Sequence, residues 1–199
     1  MNFLAHIYLS DNISELQLGN FIGDHVKGKN YLQLPKSIAD GVIMHRKIDT
    51  FTDNHPIFRH SKRYFQPDFG LYSGVIVDMV YDHFLAKNWD KFHDENLYDF
   101  TQKFYFLLNK NLDRLPEKTQ YIAPFMIEQN WLYSYRNIEG ITKILEQMDL
   151  RTKNLSNMRY SYQTLTQHYQ SLEYDFFEFI VKIHEYAQDY LTKEIYHEN

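Results

Sequence analysis

The chain has no cysteine. Disulfides and Cys-ligated zinc are therefore excluded, and any metal must sit on His, Asp, Glu, Asn or water. A reducing cytoplasm is the natural home for such a chain. Breakers are scarce, with 7 Gly and 5 Pro in 199 residues, which favours long helices. No run of about 18 apolar residues exists, so no membrane-spanning helix is expected. The opening Met1-Asn2-Phe3-Leu4-Ala5-His6 carries no basic segment and no long apolar run, so no signal peptide is expected. Net positive charge is also lacking. A formal charge of −5 does not favour nonspecific nucleic-acid binding. Repeats, low-complexity tracts and linker-like stretches are absent.

Aromatic residues are plentiful instead, with 17 Tyr and 15 Phe. Their ordinary use is a thickly packed core. Periodicity predicts an all-α, single-domain protein over residues 1–199. Helices are expected over Asn2–Ser10, Ser14–Val26, Pro35–Phe51, Pro56–Phe65 and Tyr72–Lys87. Others follow over Asn96–Asn109, Pro116–Tyr133 and Asn137–Met148, with one or two more from Ser156 onward. Thr52 to Pro56 reads as a break, and Pro67-Asp68-Phe69-Gly70 as a loop. Tyr162, Leu165, Tyr169, Leu172, Phe176, Phe179 and Ile180 form an apolar stripe along the last segment.

Short-armed polar residues fall four apart on four of these helices: Asn2 and His6, Asn20 and Asp24, His45 and Asp49, Asp78 and Asp82, with His83 next door. Such residues share a face, about 5–6 Å apart at Cβ. Each pair lies in an otherwise apolar segment. Unpaired buried carboxylates and imidazoles cost several kcal/mol each. A divalent cation is the simplest compensation, and helix-bundle cores are a known place for one. An Asp, His and Asn set without Cys suits Mn²⁺, Mg²⁺ or Fe²⁺ better than Zn²⁺. Such an ion suits phosphodiester hydrolysis. A single helical His is more often a satisfied core or surface residue, and a single Asp a cap. The signal lies in four pairs together. His25, His60, His93, His168, His184 and His197 show no comparable pattern and read as core or surface residues. Asp82 and His83, adjacent on a helix, point about 100° apart. Both ligate only at the wall of a site; otherwise one orients another ligand.

These residues resemble the acyl carrier protein phosphodiesterase family. The likeness runs through Met1–His6, Leu18–Asp24, Gly41–Asp49, Thr52-Asp53 and Asp78–Leu85 with Trp89. It continues more loosely through Asn130-Trp131-Leu132, Arg136 and the C-terminal helix. Gly23 departs from the Ala common before Asp24, and Asn88–Thr119 matches poorly. The resemblance implies an all-α, Mn²⁺-dependent hydrolase distantly related to the HD-domain phosphohydrolases. It implies cleavage of the phosphodiester joining 4′-phosphopantetheine to Ser of holo acyl carrier protein.

On that footing Asp24, Asp82 and His83 are expected as metal ligands, with His6 and His45. Asp49 either ligates or orients His45. Asp78 either ligates or takes a proton from the attacking water. Arg46 offers a planar fork to phosphate oxygens; its plainer use is a salt bridge beside Asp49 or Asp53. Thr52-Asp53 either caps a turn or holds the end of the His45 helix. Lys27, Lys29, Arg59, Lys62 and Arg63 form an expected positive rim for the acidic carrier protein. The rival functions are a phosphohydrolase acting on a nucleotide or other small phosphodiester, and a non-enzymatic helical protein that binds an acidic partner. A purely structural metal is a third.

Overall fold

The computed structural model describes residues 1–196. The expected all-α class holds: the described residues form eleven α-helices joined by short 3₁₀ turns, and none is a strand. They are α1 (Phe3–Leu9), α2 (Ser14–Ile22), α3 (Lys36–Asn54), α4 (Pro56–Phe69), α5 (Ser73–Lys87), α6 (Leu97–Lys110), α7 (Glu117–Glu128), α8 (Trp131–Ser134), α9 (Ile138–Arg151), α10 (Ser161–Gln167) and α11 (Tyr169–Tyr190). No helix among the described residues is long and apolar enough to cross a membrane.

The core is built around α5. Its residues from Ile76 to Ala86 are buried except Asp78, as an element apolar all round must be. The aromatic stripe of α11 covers it: Phe176 and Phe179 lie 5.7 and 5.5 Å from the Tyr81 ring. Leu165, Leu172 and Ile180 are buried as the stripe predicts, but Tyr162 faces solvent.

Several boundaries differ from expectation. Helix α3 runs through Thr52 and Asp53 and ends only where Pro56 forces His55 into an extended conformation. Helix α4 runs through Pro67 to Phe69. The buried Phe65 and Phe69 sit one turn apart on its inner face. Pro67 lies on the exposed face, where the carbonyl it cannot satisfy meets water. The expected helix over Pro116–Tyr133 is two, because Asn130 takes a left-handed conformation (φ 49°) between α7 and α8.

Two contacts place the site. The first is the crossing of α2 and α3, where Gly19 faces Gly41. A Cβ on Gly19 would lie 2.0 Å from the Ile38 carbonyl oxygen, and one on Gly41 2.4 Å from that of Leu16. No other residue permits this approach. The second is the N-terminus of α1. The Asp82 carboxylate accepts from the backbone N–H of Asn2 (3.2 Å), Leu4 (2.8 Å) and Ala5 (3.3 Å). That fixes the short α1 to α5 and sets His6 against α2 and α3.

Candidate metal centre

His6 from α1 and His45 from α3 stack with ring centroids 4.0 Å apart. Both are buried. Asp49, one turn after His45, places one carboxylate oxygen 3.2 Å from His6 Nε2 and the other 3.0 Å from His45 Nε2. Asp24, in the 3₁₀ turn after α2, stands 3.3 Å from His45 Nε2. Donor atoms of His6, His45 and Asp49 all lie within 4.8 Å of one another.

Asn20 decides what these atoms can do. Its amide nitrogen donates to the His6 carbonyl and to Ser10 Oγ, both at 2.8 Å. Its side-chain oxygen therefore faces His6 Nδ1, at 2.7 Å. Its backbone carbonyl lies 2.7 Å from His45 Nδ1. Both oxygens only accept, so both imidazoles carry their proton on Nδ1. Each Nε2 of a neutral ring is then a lone pair aimed at carboxylate oxygens, and that of His6 also lies 3.1 Å from the Met1 carbonyl. Lone pairs facing oxygens repel unless a proton or a cation stands between them. The pKa values show the same tension. Burial pushes His6 down to about 4, helped by the neighbouring His45 charge. For His45 burial also lowers the pKa, but hydrogen bonds and charge from Asp24 and Asp49 outweigh it and hold it up at about 9. The two imidazoles hold Asp49 well below the usual carboxylate range despite its burial. The His45 hydrogen bond holds Asp24 low as well.

The set fits a divalent ion. Two ligands about 2.1 Å from one octahedral ion, at right angles, stand roughly 3 Å apart, the spacing Asp49 makes with each imidazole. The carbonyl behind each Nδ1–H is the usual support of a metal-bound histidine. With Asn20→Ala we expect about 3 kcal/mol of lost stability and about 10- to 100-fold weaker metal binding. Thermal unfolding and Mn²⁺ titration check this; unchanged metal affinity would contradict the tautomer argument.

Beside the cluster lies a cavity of about 220 Å³, lined in part by Met1, Asp24, His25 and Asp78. Asp78 pairs with the Met1 amino group at 2.6 Å. Burial raises its pKa even so.

The structure thus brings together His6, Asp24, His45 and Asp49, with Asp78 on the adjoining wall. It does not bring in Asp82 or His83, and both expectations as ligands are corrected. The Asp82 oxygens are taken up by the α1 amides. Burial raises its pKa to about 7, against the pull of the Met1 ammonium and those amides. His83 points a different way round α5: Nδ1 donates to the Tyr135 carbonyl (2.7 Å), and Nε2 accepts from the Tyr169 hydroxyl (2.8 Å). Arg46, expected at phosphate, lies one residue round α3 from His45. Its Nη2 donates to the Val26 carbonyl (2.8 Å), and its guanidinium covers Tyr31. It holds the segment after Asp24 and does not line the cavity. It pairs with neither Asp49 nor Asp53. Thr52 is buried with its hydroxyl unpartnered, and Asp53 is exposed.

Lys27 and Lys29 are exposed on the segment that follows Asp24. Lys62 reaches toward Gly74 at the start of α5, and Arg63 is exposed on the same helix α4. Arg59 is spent on the end of α3, donating to the Asp53 carbonyl and to Asn54 Oδ1. Among the other histidines, His60 pairs with Asp175, His93 and His168 stack on Trp89 and Tyr64, and His184 lies against Tyr8. His197 lies outside the described residues. His25 departs from expectation by lining the cavity.

Comparison with known proteins bears directly on this site. Residues 1–183 match the family model described as acyl carrier protein phosphodiesterase. Curated proteins named acyl carrier protein phosphodiesterase are similar along nearly their whole length. That of Yersinia enterocolitica is 32% identical over 190 residues, covering 95% of this chain and 98% of its own. That of Photorhabdus laumondii is 32% identical over 190 residues, covering 95% and 96%. That of Escherichia coli is 30% identical over 188 residues, covering 94% and 97%. No solved structure matches the chain, so the expected kinship with HD-domain phosphohydrolases gains no support from that side. With matches that span the site and nearly the whole chain, this protein belongs to the acyl carrier protein phosphodiesterase family.

Proposed function

We propose that the chain hydrolyses the phosphodiester linking 4′-phosphopantetheine to a serine of holo acyl carrier protein, giving the apo protein and free 4′-phosphopantetheine. One observation carries the reading within the family: two imidazoles, each with its Nδ1–H held by an Asn20 oxygen, aim their Nε2 atoms at the same carboxylate beside a cavity. A binding scaffold for an acidic partner has no use for that arrangement.

His6, His45 and Asp49 would hold Mn²⁺, with Mg²⁺ or Fe²⁺ as alternatives, and Asp24 stands at the open side. When bound, such an ion polarises the phosphoryl oxygen and makes hydroxide available near neutral pH. The protein's own groups do the rest. Asp49 neutralises and spaces the two imidazoles. Asp24, exposed and held ionised by His45, orients water at the mouth. Asp78, raised by burial, is the more basic carboxylate and takes the proton from the attacking water. Lys27 and Lys29, with Lys62 and Arg63, form the rim that steers the acidic carrier protein. The working compartment is the cytoplasm.

The direct test is incubation with holo acyl carrier protein and Mn²⁺, read as mass loss of the arm. No conversion at high enzyme would reject the reading. Conversion of small phosphodiesters alone would favour the broader phosphohydrolase.

A pH experiment tests the metal. His45 in the folded, ion-free protein is held above its ordinary value, at about 9. Its ion pairs therefore stabilise the fold fully below about pH 6.5 and fade as pH rises through 9. A bound cation must displace that proton, so its affinity rises about tenfold per pH unit below 9. In chelator, the melting temperature should fall from pH 6.5 to 8.5. The extra stabilisation by Mn²⁺ should grow over the same range. Equal Mn²⁺ shifts at both pH values would contradict binding at His45.

A further inference from the structure

The cavity beside the cluster has a second, cationic side. Lys118, at the start of α7, and Arg151, at the end of α9, line the same cavity as Asp24 and Asp78. They come from separate helices, are exposed, and among the described residues neither has an ion-pair partner. Arg151 lies over the Trp131 ring at 5.7 Å. Lys118 is placed by its neighbour Thr119, which is buried and lies 2.7 Å from His25 Nδ1. Because His25 follows Asp24 directly, the cationic side is tied to the cluster. Both cations help burial hold His25 at about 4, so His25 is neutral there.

Much of the remaining wall is apolar, made by Phe3, Val75, Ile122, Trp131 and Met148. Among its polar groups, one stands without a partner. Tyr135 lines the cavity, is wholly buried, and its hydroxyl has no hydrogen-bond partner. His83 pins its backbone carbonyl. Burial raises the phenol well above its ordinary pKa, so it stays a donor. Buried hydroxyls are nearly always satisfied. An orphan in a cavity wall points to a missing acceptor.

We propose that this cavity seats the phosphopantetheine arm, with Lys118 and Arg151 gripping the phosphate, the apolar wall taking the methyl- and methylene-bearing chain, and Tyr135 donating to an amide carbonyl of the arm. This rests on the hydrolase reading above, and it names the residues that select the substrate. It also gives His83 a role: it positions Tyr135.

The test uses the full-length, Mn²⁺-loaded protein and calorimetry with free 4′-phosphopantetheine, pantetheine lacking the phosphate, and AMP. The double variant Lys118→Ala/Arg151→Ala should weaken 4′-phosphopantetheine about tenfold or more and leave pantetheine unchanged. Tyr135→Phe should weaken both about fivefold without lowering the melting temperature, since no native bond is lost. With holo acyl carrier protein, the loss should fall on KM rather than kcat. Wild-type affinity retained in both variants would overturn the proposal. So would AMP binding more tightly than 4′-phosphopantetheine with the same variant dependence. The two readings fail separately: wild-type hydrolysis with indifferent variants rejects the seat alone. Variant-sensitive 4′-phosphopantetheine binding without hydrolysis of the carrier protein rejects the hydrolase reading and leaves a binding seat.

Discussion

Asp49→Ala should abolish stoichiometric Mn²⁺ binding and lower kcat/KM for holo acyl carrier protein by on the order of a thousandfold. The reason is its double contact. One oxygen faces His6 Nε2 and the other His45 Nε2, so its loss unmakes the meeting point of two helices' donors. Asp24 touches only His45, and Asp24→Ala should be milder in metal affinity. Asp49→Asn keeps the shape and loses the charge. It should behave like alanine in metal content and closer to wild type in fold stability. Metal analysis of the purified variants, beside the mass-shift assay, reads both. An Asp49→Ala protein with full metal and full rate would refute the assignment.

The largest effect on stability is expected away from the donors. Gly41→Ala should cost about 3 kcal/mol or more, a fall of roughly 6–12 °C in melting temperature for a chain of this size. The atoms a new methyl would meet are the backbone of α2: the Leu16 carbonyl at 2.4 Å, Gly19 Cα at 2.7 Å and Asn20 N at 2.8 Å. None is a side-chain tip that can swing away, so the helices must separate. Asn20 follows Gly19, and His45 lies one turn beyond Gly41. Separation therefore also strains the 2.7 Å bond between the Asn20 carbonyl and His45 Nδ1, and metal affinity should fall with stability. Gly74→Ala is the control. Its nearest neighbour would be the mobile end of Lys62 at 3.8 Å, and removing a helical glycine gains about 0.5–1 kcal/mol. Thermal scans of the pair decide the matter; equal behaviour would show that the crossing is not tight.

The helices themselves were legible in the sequence because apolar periodicity and scarce breakers agree. Their ends were less so. Nothing local shows that Asn130 takes a left-handed backbone, or that the buried Phe69 carries α4 past Pro67. The polar pairs were also legible, since spacing of four on an apolar helix is a local property. Which members meet is not local. His6 and Asp49 are joined by the approach of α1 to α3, itself set by Asp82 holding the α1 amides. A buried carboxylate that caps another helix and one that binds a metal look alike in sequence, and only the fold shows that Asp82 is the former. His83 sits on a helix buried all round, where no exposed face marks a direction. Gly19 and Gly41 were visible as residues, but their close approach requires the partner helix. Lys118 and Arg151 lie far apart in a stretch without motifs, and only the packing of the helices that carry them brings them to one cavity with Trp131.

The central claim is that His6 and His45 present their Nε2 atoms to one ion. Electron spin echo envelope modulation on the Mn²⁺-loaded protein reads directly coordinated nitrogen. The claim predicts two imidazole couplings, one lost in His6→Gln and the other in His45→Gln. A signal without nitrogen modulation, or one that survives both substitutions, would contradict it.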